Sequence, residues 1–265
     1  MLSLVPRPQI SHVIFDFDGT LSWLRHGWPE IMSSLFRKFV PLKPGESPET
    51  LRDLLINEIL ALNGKSSIFQ MRMCAELAAE RGGKKPEPEK LLLEYQARLD
   101  AAIQERTNLI LGGQSRCDDF VVHGARVVLE KLRERGLTLI ILSGTAEPRV
   151  KQEADLLGLA PYFGPHIYGG TADLAQSSKS AVLERLIREE KFEGEDLLAF
   201  GDGPVEIQLA KGVGGLAIGV ASDENRNGSG IMDPMKCAQL REAGADLLIP
   251  DYREPDALLA RLLGR

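Results

Sequence analysis

The 265-residue sequence is poor in cysteine, with Cys74, Cys117 and Cys237 far apart and no CxxC pair among them. That scarcity excludes a disulfide framework and a structural zinc site, and it predicts buried thiols in a reducing compartment. Histidine is equally sparse. The four present, His12, His26, His123 and His166, lack metal-ligand spacing and read as packing or surface residues. No apolar run approaches membrane-spanning length, and Met1–Pro8 lacks a basic region followed by a long apolar stretch. The expectation is a soluble, cytoplasmic protein without a membrane partner. Positive charge is also short: 38 acids face 32 lysines and arginines, a net charge of -6. A broad nucleic-acid surface is therefore not expected, although a local basic pocket for a phosphate remains compatible. Low-complexity tracts and internal repeats are absent.

What is present is an ordinary globular composition, 43% hydrophobic and 26% charged, in a chain long enough for one large α/β domain or a domain carrying an insertion. Its centre is Val13-Ile14-Phe15-Asp16-Phe17-Asp18-Gly19-Thr20, an apolar strand running into paired carboxylates, glycine and threonine. In extended chain Asp16 and Asp18 share one face while Phe15 and Phe17 share the other. Gly19 permits a sharp exit, and the Thr20 hydroxyl can fix a backbone group or the neighbouring carboxylate.

Leu21–Trp28 lacks strand alternation and reads as a hinge or lid. From Pro29 to about Arg116 the pattern is helical, with Ile31, Leu35, Phe36 and Phe39, then Leu51, Leu54, Leu55 and Ile59, at amphipathic spacing. This predicts a bundle of about four helices. After Phe120 short apolar strands alternate with helices: strands at 137–142, 166–168, 197–200, 216–220 and 245–249, helices near 125–134, from 148, at 180–190 and at 205–211. Continuous apolar runs between helices predict a parallel sheet covered on both faces. The expected architecture is a doubly wound, Rossmann-like α/β core of residues 1–21 and 120–265, interrupted by an inserted all-helical cap of residues 22–119.

In such sheets ligands bind beyond the carboxyl ends of the strands. There the sequence places Asp16 and Asp18, then Ser143-Gly144-Thr145, then Gly201-Asp202-Gly203-Pro204-Val205-Glu206, with Lys179 before the helix near 180. Acids, a hydroxyl, a lysine and glycine turns are what phosphoryl transfer through a metal ion requires, because a carboxylate nucleophile and a phosphate dianion repel one another. Magnesium suits this donor set, with Asp16 and Asp202 supplying carboxylates. Lys179 would hold the phosphoryl oxygens, and Ser143 with the N–H groups of Gly144 and Thr145 would complete a cradle. Each residue alone has a plainer reading: Ser143 as a turn or cap, Lys179 as a solvated charge, Asp202 as a turn residue. Their joint occurrence carries the assignment. Asp233-Pro234 reads as a helix start without chemistry, and the polar stretch Ser222–Gly230 as a loop just beyond a core strand that either borders the site or only connects.

Asp16-Phe-Asp18-Gly-Thr20, the strand ending in Ser143, Lys179 and Gly201-Asp202-x-x-x-Glu206 resemble the four motifs of the haloacid dehalogenase-like hydrolases. The helical insertion resembles the cap of the phosphoglycolate phosphatase and β-phosphoglucomutase branch. The resemblance implies that Asp16 is a nucleophile forming an aspartyl-phosphate. It implies that Asp18 protonates the leaving oxygen, activates water and lends its backbone carbonyl to the metal, and that Asp202 and Glu206 complete the metal site. Thr20, Ser143, Gly144, Thr145 and Lys179 would bind substrate. The family's dehalogenases lack the second aspartate, so Asp18 favours phosphate substrates. Two departures stand out: Glu206 where many relatives carry aspartate, and Gly203 where they often carry Ser or Thr. The expected activity is a magnesium-dependent phosphatase acting on a small phosphorylated metabolite such as phosphoglycolate or a sugar phosphate. A sugar phosphomutase and a silent phospho-ligand-binding module are the alternatives. A receiver-type signalling domain would be about half as long and would lack the insertion. Candidate selectors of substrate are Lys65, Ser66, Gln70 and Arg72 in the cap, with Trp23 and Arg25 near the hinge.

Overall fold

Strand side chains alternate, and the two halves of the core follow that alternation. Val13 and Phe15 join one hydrophobic cluster while Ile14, between them, joins another. The computed structural model describes residues 4–62, 66–171 and 178–264. It contains β1 (His12–Phe15), β2 (Thr138–Ala146), β3 (Ile167–Gly170), β4 (Leu197–Gly201), β5 (Leu216–Val220) and β6 (Leu247–Ile249). All pairings are parallel, in the order β3-β2-β1-β4-β5-β6. The order reverses at β1, between β2 and β4, and that reversal opens a crevice at the strands' carboxyl ends.

Among the described residues four helices follow β1 before the core helices begin: α1 (Trp28–Phe36), α2 (Pro48–Ala61), α3 (Ile68–Glu80) and α4 (Pro88–Leu111). The core helices among the described residues are α5 (Ala125–Glu134), α6 (Glu147–Leu156), α7 (Ala160–Phe163), α8 (Lys179–Glu190), α9 (Pro204–Gly212), α10 (Pro234–Glu242) and α11 (Pro255–Leu263). Apolar residues of α5, α6, α7 and α11 pack with Phe15, Ile141 and Phe200 on one face of the sheet. Those of α8, α9 and α10 pack with Ile14, Ile140 and Ala199 on the other. This is the doubly wound α/β arrangement that the alternating runs predict.

The chain divides into two compact units, residues 1–24 with 110–265, and residues 25–109. The second is all-helical. Met32, Leu35, Phe36, Leu51, Leu55, Ile59, Met71 and Cys74 form its own buried core. Gln70 is buried there, its amide donating to the Ile59 carbonyl at 3.1 Å, so it serves packing rather than a substrate. Ser66 and Arg72 are exposed, with the Arg72 guanidinium 5.7 Å from the Phe69 ring centre. Lys65 lies outside the described residues. In the α/β unit, Leu21 and Leu24 are fully buried and Ser22 bridges to Val121, so the start of the segment expected to be a hinge or lid belongs to the core. Trp23 is partly buried against the same cluster.

Cys74 and Cys237 are buried as expected, but Cys117 is half-exposed. Burial pushes the Cys74 thiol up to about 12. No helix is long and apolar enough to cross a membrane among the described residues.

Candidate active site

The register of the sheet brings the acids together. Phe15 lies level with Ile141 on β2 and with Phe200 on β4. Asp16 is one residue further, its N–H donating to the Phe200 carbonyl at 2.9 Å. Asp202 follows β4 directly, and Ser143 follows Leu142. The chain after Asp16 folds into a tight turn in which Leu21 and Ser22 both donate to the Phe17 carbonyl, at 2.9 and 2.8 Å. Gly19 adopts φ +77°, and a Cβ there would overlap Asp202 Oδ2, so the turn needs glycine for conformation and for space. Gly19→Ala is expected to destabilise the protein by ~2 kcal/mol, lowering the melting temperature by roughly 4–8 °C, because the αL strain adds to displacement of Asp202. A thermal melt indistinguishable from wild type would contradict this close approach.

β2 extends to Ala146 rather than stopping at Leu142, and its ladder with β3 is irregular. The pairs are Leu142 with Tyr168, then Ala146 with Gly170, so β2 carries two extra residues between them. This bulge sets Ser143, Gly144 and Thr145 out of register beside the acids, a common device at functional sites. Thr145 Oγ1 donates to Asp18 Oδ2 at 2.8 Å, while the Thr145 N–H donates to Ser143 Oγ at 3.1 Å. The expected cradle is therefore altered: the Thr145 N–H is turned onto Ser143, and the Thr145 side chain holds Asp18. Thr20 also differs from expectation. It is fully buried, and its hydroxyl has no hydrogen-bond partner among the described residues.

Lys179 is the first residue of α8, capped by Ser178 Oγ, which accepts from Ala181 N–H at 3.3 Å. Its ammonium reaches Asp16 Oδ1 at 2.7 Å and also joins Glu206. Gly144 lies alongside the lysine stem, where a Cβ would stand 4.0 Å from Cε. Glu206 sits in the first turn of α9, folded back over Gly201, where a Cβ would approach Glu206 Cβ to 2.8 Å. Gly203 is under no such demand, since its Cβ would lie 3.7 Å from Glu206 Oε2, an ordinary contact.

Electrostatics confirm that these groups crowd one another. Burial holds the Asp16 carboxyl well above the usual aspartate range; Lys179 opposes this, and Glu206, Asp202 and Asp18 add to it. Burial alone would depress Lys179, but Asp16 and Glu206 outweigh it and hold the ammonium above the ordinary lysine value.

Three residues to which the sequence assigned no chemistry complete the cluster. Lys236, on α10, pairs with Asp202 Oδ2 at 2.9 Å and with Glu224. Ser222 Oγ donates to the Gly19 carbonyl at 3.2 Å. Ser222 and Glu224 follow β5 and were accessible to the same rule of inspecting strand ends; Lys236 carries no such signal. Tyr252 is fully buried near the same acids, its hydroxyl without a partner among the described residues.

The donors are all oxygens, which suits a hard cation such as magnesium. Among the described residues no three acids, histidines or cysteines form a closed metal cage. Magnesium does not need one, since it commonly takes one or two carboxylates and leaves the remaining positions to water and phosphate. Asp16 and Asp202 would supply two such carboxylates, and the repulsion that Glu206, Asp202 and Asp18 exert on Asp16 is the imbalance a divalent cation relieves.

A parallel sheet with a carboxylate pair at its switch point, a lysine on the first acid and a further acidic pair across the crevice defines a class of α/β hydrolase sites. The haloacid dehalogenase-like hydrolase family model matches residues 10–214, and the chain belongs to that family. Solved structures share the fold. A conserved haloacid dehalogenase-like protein from Agrobacterium tumefaciens superposes with a TM-score of 0.66 at 19% identity, covering 95% of this chain and 98% of that one. A predicted phosphoglycolate phosphatase from Haemophilus somnus gives a TM-score of 0.61 at 18% identity, covering 94% and 97%. A HAD family hydrolase from Deinococcus radiodurans, with bound phosphate and sodium, gives 0.62 at 18% identity, covering 96% of each chain. No curated protein sequence matches.

Proposed function

We propose that this chain is a magnesium-dependent phosphatase that hydrolyses a small phosphorylated metabolite through an aspartyl-phosphate on Asp16. The observation that carries this reading is the division of labour between the two acids of one turn. Lys179 grips Asp16 at 2.7 Å, and Thr145 holds Asp18 at 2.8 Å. The ammonium opposes the burial that raises the Asp16 carboxyl and fixes the direction of its oxygen, which suits a nucleophile. An acid held by a hydroxyl donor can exchange a proton without losing its place, which suits general acid–base work.

An Asp16 carboxylate oxygen attacks phosphorus, and the bond to the leaving oxygen breaks as Asp18 delivers its proton there. Asp18, now ionised, accepts a proton from the water that attacks the phospho-aspartate, releasing phosphate and restoring Asp16. Lys179 holds the transferring phosphoryl oxygens throughout. Asp16, Asp202, Glu206 and the Asp18 backbone carbonyl would hold magnesium, which supplies charge neutralisation between nucleophile and phosphate. The family resemblance, the solved phosphatase-like fold and the bound phosphate in the Deinococcus radiodurans structure support the substrate class. Selection among substrates is assigned to the helical unit of residues 25–109. Three unpaired cysteines support a reducing compartment, the cytoplasm.

The test is phosphate release from a panel of sugar phosphates, phosphoglycolate and other small monoesters, with magnesium supplied or chelated. Turnover on at least one compound, lost on chelation and regained with magnesium, is expected. Turnover that survives chelation, or no turnover on any compound by a folded, magnesium-binding protein, would overturn the reading.

A further inference from the structure

Lys236 lies beyond the residues that the family model matches, and the reaction as described gives it no task. Its place is nonetheless closely built. Asp233 Oδ1 accepts from the N–H groups of Met235 and Lys236, at 2.8 and 2.9 Å, fixing the start of α10 so that Lys236 falls in its first turn. The side chain is 3% exposed, too buried to meet a substrate. An ammonium has three hydrogens to donate. Three acceptors surround it: Asp202 Oδ2 at 2.9 Å, Glu224, and Ser222 Oγ at 3.3 Å. Ser222 in turn donates to the Gly19 carbonyl at 3.2 Å. One ammonium thus ties together the loops that follow β1, β4 and β5.

A buried ion pair is a weak source of stability, because desolvation offsets the attraction. Orientation is what such a group secures. Partners that hydrogen-bond a ligating carboxylate fix its direction, and their loss commonly weakens metal affinity 10–100-fold. We propose that Lys236 is a positioning residue for the divalent cation, fixing Asp202 by one oxygen so that the other is presented as a donor, with Glu224 cancelling its charge. The inference rests on the reading of Asp202 as a cation donor given above. Glu224 matters because a lone ammonium beside a cation site would repel the ion, whereas a neutral Lys236–Glu224 pair anchors without repelling.

The test is magnesium binding by titration calorimetry on the full chain without substrate, with circular dichroism and thermal melts to verify folding. The variants are Asp202→Asn, Lys236→Met, and Lys236→Met combined with Glu224→Gln. Lys236→Met removes a positive charge, so simple attraction predicts tighter magnesium binding; lost orientation predicts weaker binding. The double variant leaves net charge unchanged and isolates orientation, and it carries the test if the single variant fails to fold. A dissociation constant raised about tenfold or more in the double variant is expected. Binding as tight as wild type, or tighter, in the folded double variant overturns the role of Lys236. If Asp202→Asn loses magnesium while the double variant keeps it, only this inference fails. If Asp202→Asn binds like wild type, the reading of the cation site fails and this inference falls with it.

Discussion

Asp16→Asn is expected to lower phosphate release by roughly 10⁴-fold or more while the protein stays folded. Asparagine keeps the shape of the side chain and an oxygen that accepts from Lys179, and the backbone N–H to Phe200 is untouched. What it lacks is the anionic oxygen that forms the bond to phosphorus. Stability should move the other way. Burial raises the Asp16 carboxyl in the folded protein, with Glu206, Asp202 and Asp18 adding to the effect. A group raised in this way contributes stability that is full below its unfolded value and is lost as pH rises through its folded value. The metal-free asparagine variant has no such loss, so its melting temperature relative to wild type should climb as pH rises above the unfolded aspartate value of about 4. Steady-state phosphate release and melts across pH measure both effects. Release at the native rate by the folded variant would remove Asp16 from the nucleophile's place.

Lys179→Met should affect stability and catalysis together. The lysine side chain is 16% exposed, and its ammonium is the counter-ion of both Asp16 and Glu206. Removing one partner of a buried pair typically costs 3–5 kcal/mol; with two acids able to take up protons the lower end, about 3 kcal/mol, is expected for the metal-free protein. Magnesium should restore part of that loss, since a ligand that binds only the folded state stabilises it by mass action. kcat/KM should fall by roughly 10²–10³-fold because a fixed charge on the phosphoryl oxygens is gone. Lys179 is also the group that pulls the Asp16 carboxyl down, so the acidic limb of the pH profile should move to higher pH. Melts with and without magnesium, and a pH–rate series, read all three. An unchanged melt with an unchanged profile would show Lys179 to be a bystander.

The elements and much of the chemistry are legible in the order of residues. A buried strand needs a continuous apolar run, and Val13–Phe15 ending in Asp16-x-Asp18 states both the strand and what stands at its end. Helix starts were equally legible, because caps are local: Asp233 before Pro234 accepts the first N–H groups of α10 as its position predicts. The two-sided core was written in alternation, with Val13 and Phe15 facing one set of helices and Ile14 the other.

Which groups meet is settled by folding. Lys179 reads locally as a solvated charge, yet it closes on Asp16 across 163 residues of sequence. Lys236 reads as part of a polar helix turn, yet it is the hub of three loops. Gln70 reads as an available amide on a helix, yet it turns inward to the Ile59 carbonyl. The β2 bulge that turns Thr145 onto Asp18 leaves no mark in the apolar pattern, because it depends on register with β3. Periodicity and capping are set by residues a turn or a strand apart, so sequence carries them. Ion pairing and burial of a single polar side chain depend on strand order and register, which the chain settles only by folding.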